Sequence, residues 1–427
     1  MPPIKTGLFK RLLTGRAERQ ELQFLSVGVL ALCLGLLIAS FVTFNGSRTV
    51  FGQPLGADFA GFYSAGKLLN ENPGERLYDF ALQDELYHSI LPGLGEEEKL
   101  PYVHPPFFAL LLRPLAYLPY PWAFLIWLVI SVALTLAALF MMRAVLENVP
   151  SSDWPTVMLL ALSFEPLVME CWLGGQTSAL GLCAMALALK FDRLRQPVRC
   201  GMALAACLYK PPLLLLVVPM LAVARQGKTL AGFVLGGVFL AIVSYFTVGY
   251  EGILRYLDHM MAFSRLSSSN LPGFPLWKFV DLNSFLKALL ADRFIAPWAL
   301  LLLLAIPPLY FLSRYWLRLD QLNQDQRKLV WAATLTFTLV INVYVGVYDS
   351  ILAILGVLLT LDVLYAPRQS PPATITPVFR FLIVAAYVAP WVSQPLARAV
   401  GFQPYTLVLA SLGSYQLCLA HERSRVT

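Results

Sequence analysis

Asp58 sits near the head of the stretch GADFAGFYSAGKLL, residues 56–69, shortly after the first long apolar run of the chain. A carboxylate there has two readings. It can cap the helix that the spacing of Phe62, Ala65 and Leu69 predicts, or it can act as a general base that takes the proton from an attacking hydroxyl. Tyr63, beside Phe62, is a candidate substrate contact. Lys210, in LYKPP, is either a snorkelling lysine at a helix break or the partner of an anionic phosphate, beside backbone groups that the two prolines set free. His104, ahead of Pro105 and Pro106, is a boundary histidine or a second substrate contact. Gln176 closes the motif GGQ, and Asp349, in VYVGVYDSIL, either caps the next helix or orients a ligand. Glu165, Glu170 and Arg113 also stand in apolar surroundings, where they pair with one another or take part in chemistry.

These residues need a membrane to hold them. Of the 427 residues, 58% are hydrophobic and only 13% charged, against about 25% charged in a soluble domain. Leu22 to Phe44, Trp122 to Met142 and Thr229 to Tyr250 are each long enough to cross roughly 30 Å of hydrocarbon. The expected class is an all-α polytopic membrane protein. Its apolar runs reach the C-terminus, so residues 1–427 read as one membrane domain with no soluble domain of ordinary size. The first run follows Lys5, Lys10, Arg11, Arg16 and Arg19, but it exceeds the roughly 7–15 residues of a signal-peptide core and lacks a cleavage site, so it reads as a retained span. The six cysteines show no ligand spacing and read as core residues. The net charge of +7 follows from topology and needs no nucleic-acid partner.

Basic loops stay in the cytoplasm. Residues 1–21 are therefore expected inside. Residues 45–103, where acids outnumber bases, form the first extracytoplasmic loop, and residues 251–293 a second extracytoplasmic segment. Arg143; Lys190 to Arg199; Arg225 and Lys228; Arg314 to Lys328; Arg368 and Arg380; and Arg423 and Arg425 mark returns to the inside. His104 outside and Arg143 inside leave an odd number of crossings between them. Trp122 to Met142 supplies one, so HPPFFALLLRPLAYLP reads as a re-entrant or interfacial helix. Arg199 and Arg225 both inside make the stretch between them a hairpin of two short helices broken at YKPP. The count comes to about 12 spans with both termini cytoplasmic. In the first loop, Asp79 is expected to cap a second helix, and both loop helices are expected to lie amphipathically on the outer surface. On this topology Asp58, His104, Gln176, Lys210 and Asp349 share the outer boundary, as one polar cleft would require.

Several chemistries lack their residues. The chain has no P-loop, no dinucleotide fingerprint and no HExxH. Its four histidines are dispersed, and no DxD pair is present to hold a metal–nucleotide donor. A donor already dissolved in the bilayer fits better, and no metal or other cofactor is called for.

GADFAGFYSAGKLL with RLYD, YVHPPFFALLLRPLAYLP, GGQTSALGLCAMALAL and GMALAACLYKPPLLLL occur in this order. Together they resemble glycosyltransferase family 87, over roughly residues 20 to 250. The resemblance implies a GT-C-type transmembrane bundle with outer-surface helices over a cavity, and a polyprenyl-phosphate sugar as donor. It implies that the aspartate of the first outer loop, here Asp58, is the catalytic base. The expected activity is hexosyl transfer, with a sugar such as mannose, to a glycolipid or glycan on the outer face of a bacterial inner (plasma) membrane. Lys210 would hold the donor phosphate, and Tyr63, His104, Gln176 and Asp349 are the substrate-binding candidates. The competing class is a secondary transporter or lipid flippase, which shares the hydropathy and broken helices but calls for repeats that the chain does not show.

Overall fold

Long apolar runs become helices close to where the sequence places them. The computed structural model describes residues 11–12, 15, 18–95, 100–268, 275–290, 297–366 and 376–424. Lys5, Lys10, Arg16, Arg368 and Arg425, with most of residues 1–21 and parts of 251–293, lie outside the described residues. Within them the chain is helical and has no strand, only an isolated bridge between Phe279 and Gly346.

Among the described residues, six helices are long and apolar enough to cross a membrane: α1 (Arg19–Thr43), α5 (Tyr120–Val145), α10 (Gly227–Ser268), α12 (Pro297–Trp316), the run Val347–Tyr365 that ends in α14 (Ala353–Tyr365), and α15 (Pro377–Val400). A seventh is obtained if α6 (Trp154–Leu162) and the π-helix Pro166–Leu173, bent by 52°, form one broken span. The difference from about 12 lies in short elements. Helices α7 (Ser178–Arg193) and α13 (Gln324–Val340) have 16 and 17 residues, and at about 1.5 Å per residue neither reaches 30 Å. α16 (Pro404–Ser424) is longer but more polar.

The stretch between Arg199 and Arg225 forms two short helices broken at YKPP. α8 (Pro197–Ala205) tightens into the 3-10 turn Ala206–Tyr209, breaks at Lys210, and resumes through Pro211–Leu214 into α9 (Val217–Val223). Pro211 and Pro212 have no N–H to continue a helical ladder, so the backbone leaves helical geometry at Lys210 (φ −142°, ψ 78°). The short helix α4 (Pro106–Leu112) and the turn Leu115–Tyr117 are too short to cross, as expected of HPPFFALLLRPLAYLP. α10 breaks at Gly249, φ 67°, where the third apolar run ends.

One expectation fails. Helix α2 (Phe59–Glu71) does not lie on a surface, because residues 59 to 66, 68 and 69 are all buried. A helix apolar on every side belongs inside a bundle. Helix α3 (Phe80–Ile90) is the amphipathic one, capped by Asp79, which accepts a hydrogen bond from the Leu82 N–H at 3.2 Å. Its buried positions are Gln83 and Tyr87. α13 is the centre of the bundle, buried from Leu329 to Val340.

The two ends of α5, α7, α13 and Val347–Tyr365 differ in kind. At one end lies an ion network: Arg193 with Glu147 (2.5 Å), Lys328 with Asp362 (2.7 Å) and Glu147 (3.2 Å), and Arg327 with Asp192 (2.5 Å). At the other end, around Tyr120, Ser178 and Asp349, lies the candidate site.

Candidate active site

Asp58 stands at the start of α2 but does not cap it. Its backbone is helical (φ −76°, ψ −19°), and its side chain bonds none of the first-turn N–H groups. The Gln176 amide instead donates to its carboxylate at 2.5 Å, and the Asp58 N–H donates to the Gly174 carbonyl at 3.0 Å. The capping reading therefore gives way to a carboxylate held by one amide and still partly exposed.

The local backbone explains how two loops from distant parts of the chain meet there. The π-helix ends by bonding the Gly174 N–H to the Met169 carbonyl, and Gly175 follows at φ 72°. A Cβ on Gly175 would lie 2.6 Å from the Phe59 Cβ and 2.7 Å from the Gly56 carbonyl oxygen, so only glycine lets the GGQ turn seat against the start of α2. Helix α5 clamps both sides. Trp127 donates its indole N–H to the Gly175 carbonyl (3.0 Å), Tyr120 donates to the Leu55 carbonyl (2.5 Å), and Phe59 packs on Phe124 and Trp127.

Two residues beyond Gln176, Ser178 donates to Asp349 at 2.9 Å. The other Asp349 oxygen pairs with the Lys210 ammonium at 2.7 Å, and that ammonium lies 4.2 Å from the centre of the Tyr348 ring. Asp349 and Lys210 are both buried. Each would be costly alone at such depth, and together they offset that cost. Asp349 is thus the lysine's counter-ion and not a helix cap. Tyr348 lies within electrostatic reach of both Asp349 and Asp58, so the two charged centres border one region.

His104 joins the cluster through the backbone. Its Nδ1 lies 2.9 Å from the Tyr209 carbonyl, the residue before Lys210. A carbonyl only accepts, so Nδ1 carries the proton and Nε2 keeps its lone pair. Burial against Phe62, Phe108 and Tyr102, with the Lys210 charge nearby, pushes the His104 pKa down to about 4, so the ring is neutral near pH 7.

Other expectations change. Tyr63 donates to the Leu118 carbonyl at 2.8 Å and packs edge-on against Tyr120, so its hydroxyl fixes loops and does not face the polar cluster. Glu165, Glu170 and Arg113 do not pair with one another. Glu170 accepts from Gln394 at 2.6 Å, Glu165 keeps a buried oxygen without a hydrogen-bond partner among the described residues, and Arg113 binds Asn70 at 2.8 Å. Sequence reasoning missed three parts. Ser178 carries no charge to betray it. Trp277, flanked by the Lys278 ammonium at 5.4 Å and the Arg398 guanidinium at 5.6 Å, joins residues 120 positions apart and lies beside Lys278, which is within electrostatic reach of Glu170. Asp281, fully buried, accepts from the Ser284 N–H (2.9 Å), the Ser284 hydroxyl (3.0 Å) and the Val345 N–H (2.8 Å), stapling the second loop to the strand-like lead into Tyr348 and Asp349. The word DLNS in the sequence, at the start of α11 (Leu282–Leu290), is a helix-start signal that would have found it.

No group of three or more histidine, cysteine or carboxylate side chains is placed to hold a metal among the described residues. The arrangement offers a partly exposed carboxylate, a neutral imidazole and a buried ammonium near one another. That set suits abstraction of a hydroxyl proton beside an anionic leaving group.

No curated protein and no solved structure matches the chain. Residues 102–343, more than half of it, match the family model of glycosyltransferase family 87. The match includes His104, Gln176 and Lys210, reaches further toward the C-terminus than the motif resemblance, and begins after Asp58. This chain, with several helices long and apolar enough to span a bilayer, belongs to glycosyltransferase family 87.

Proposed function

We propose that the protein transfers a hexose, such as mannose, from a polyprenyl-phosphate donor to a hydroxyl of a glycolipid or glycan on the outer face of a bacterial plasma membrane. The observation that carries this reading is the release of Asp58 from capping. The carboxylate turns from its own helix to Gln176, two residues from the serine that binds Asp349 and hence Lys210.

In the reaction, Asp58 takes the acceptor proton as the acceptor oxygen attacks the anomeric carbon. The new oxygen–carbon bond forms as the bond from that carbon to the phosphate oxygen breaks. Polyprenyl phosphate leaves with the electron pair, and the configuration inverts. Lys210 keeps N–H donors beyond the one engaged by Asp349 and supplies positive charge where the phosphate gains negative charge. The neutral His104 Nε2 accepts from a sugar hydroxyl, and Gln176 holds Asp58 in line.

A GT-C-type bundle with both termini cytoplasmic fits the two unlike ends of the helices. Counting the α6–π pair, α7, α8, α9, α13 and α16 as crossings beside the six long spans gives about 12. This count returns Arg143, Arg193, Arg225, Arg314, Lys328 and Arg423 to one side.

The test is purified protein in vesicles with a panel of labelled polyprenyl-phosphate sugars and a lipid extract. Label appearing in a new glycosidic product supports transfer. Label that only crosses the bilayer, with no new product from any donor, would put the transporter reading in its place.

A further inference from the structure

Away from Asp58, a cavity of about 400 Å³ opens between α4, the turn Gly74–Arg76 and α10. Leu110, Ile242, Val243 and Phe246 form its apolar wall, and Arg113 lines it. From this combination we infer a lateral binding site for a phosphate-headgroup lipid of the bilayer, separate from the Lys210 site.

The arginine is held for such a ligand. Its Nε–H donates to the Asn70 side chain at 2.8 Å, and Asn70 donates back to the Arg113 carbonyl at 3.2 Å. This fixes the guanidinium plane and leaves its terminal N–H groups without a carboxylate partner among the described residues. A planar fork of this kind matches a phosphate with two parallel hydrogen bonds. Charge complementarity thus selects an anionic oxygen cluster at this point.

The wall selects a lipid over a soluble anion. Ile242 and Phe246 are 50% and 82% exposed, so the groove opens sideways onto the surface that hydrocarbon covers. Tyr117, Trp122, Tyr245 and Tyr250 are exposed on the elements around it. Aromatic side chains of this kind gather at the headgroup level of a leaflet. The break at Gly249 places the end of the apolar run of α10 just beyond Phe246. A headgroup phosphate at Arg113 would therefore lie at its natural depth, with a chain passing down Ile242, Val243 and Phe246. Gly74 closes the top of the groove, because any side chain there would collide with the Thr247 backbone.

This inference goes beyond the sugar-transfer reading and is read out by lipid binding alone. The probe is phosphatidylglycerol titrated into the full chain in a neutral detergent, followed by native mass spectrometry and thermal unfolding. The expected result is stabilisation by phosphatidylglycerol but not by diacylglycerol or by inorganic phosphate. Arg113→Gln should weaken binding about tenfold or more. Ile242→Trp, at an exposed position, fills the groove while keeping the guanidinium and should weaken binding as well, so it decides the matter if Arg113→Gln melts early without lipid. Undiminished affinity in both Arg113→Gln and Ile242→Trp would overturn the site, and equal stabilisation by inorganic phosphate would overturn the lipid.

Discussion

Gly175→Ala tests the seat on which Asp58 and Gln176 meet. At φ 72° an alanine costs about 1–2 kcal/mol for its left-handed backbone alone. Its Cβ would also lie 2.6 Å from the Phe59 Cβ and 2.7 Å from the Gly56 oxygen. Neither neighbour is the free end of a flexible side chain, and overpacking of this kind costs about 1–3 kcal/mol more. The sum is about 2–5 kcal/mol. Gly52→Ala supplies the comparison, because Gly52 has nearly the same φ, 77°, and nothing among the described residues lies within 4 Å of the added Cβ. It should show the backbone cost only. Relief of the Gly175 clash requires the GGQ turn to move away from α2, and a misplacement of about 1 Å at a reacting group costs on the order of 100-fold in rate. Thermal unfolding in detergent and sugar transfer in vesicles, measured on both variants, separate the two terms. Equal melting temperatures for Gly175→Ala and Gly52→Ala, with transfer intact in both, would refute the packing argument.

Three other outcomes follow from the same geometry. Lys210→Met or Asp349→Asn alone strands a buried charge or its partner and should cost about 3–5 kcal/mol, and the double variant should cost less than the sum of the two, as read by unfolding in a double-mutant cycle. His104 has a pKa of about 4 in the folded chain against about 6.5 unfolded. Protonation therefore favours unfolding, and its stabilising contribution is complete above about pH 6.5 and lost as pH falls toward 4; in His104→Phe that part of the pH dependence should vanish. Asp281 behaves oppositely. Burial raises its pKa to about 7 from about 3.9, so the folded chain keeps a proton that the unfolded chain releases. Its contribution falls as pH rises from 4 to 7, and Asp281→Asn should remove that decline relative to wild type.

The residues that betrayed the site were those whose placement breaks a local rule. Lys210 ahead of two prolines predicts a helix break with a charge at it, and the break is there. Gly174 and Gly175 ahead of Gln176 mark a turn, and HPPFFALLLRPLAYLP marks a helix too short to cross. Pairings were less legible. Nothing local to Asp349 distinguishes a cap from the counter-ion of Lys210, 139 positions earlier, and Asp58 meets Gln176 across 118 positions. Tyr63 misled because an aromatic beside an acid looks the same whether its hydroxyl faces a substrate or the Leu118 carbonyl. α2 misled for a related reason: one apolar face was visible in the spacing, while Gly61, Ser64 and Gly66 on its other faces are small enough to be buried too. The π-helix before GGQ has no signature beyond Glu165–Pro166, yet it sets where Gln176 emerges.

The most direct measurement is sugar transfer by Asp58→Asn, with its melting temperature taken on the same sample. Asparagine can still accept from Gln176, and because Asp58 bonds no first-turn N–H group, no capping interaction is lost. The fold should therefore melt as wild type does. Loss of the proton acceptor should slow transfer by about 10²–10⁴-fold. Transfer at the wild-type rate by a fully folded Asp58→Asn would contradict the assignment of Asp58 as the base.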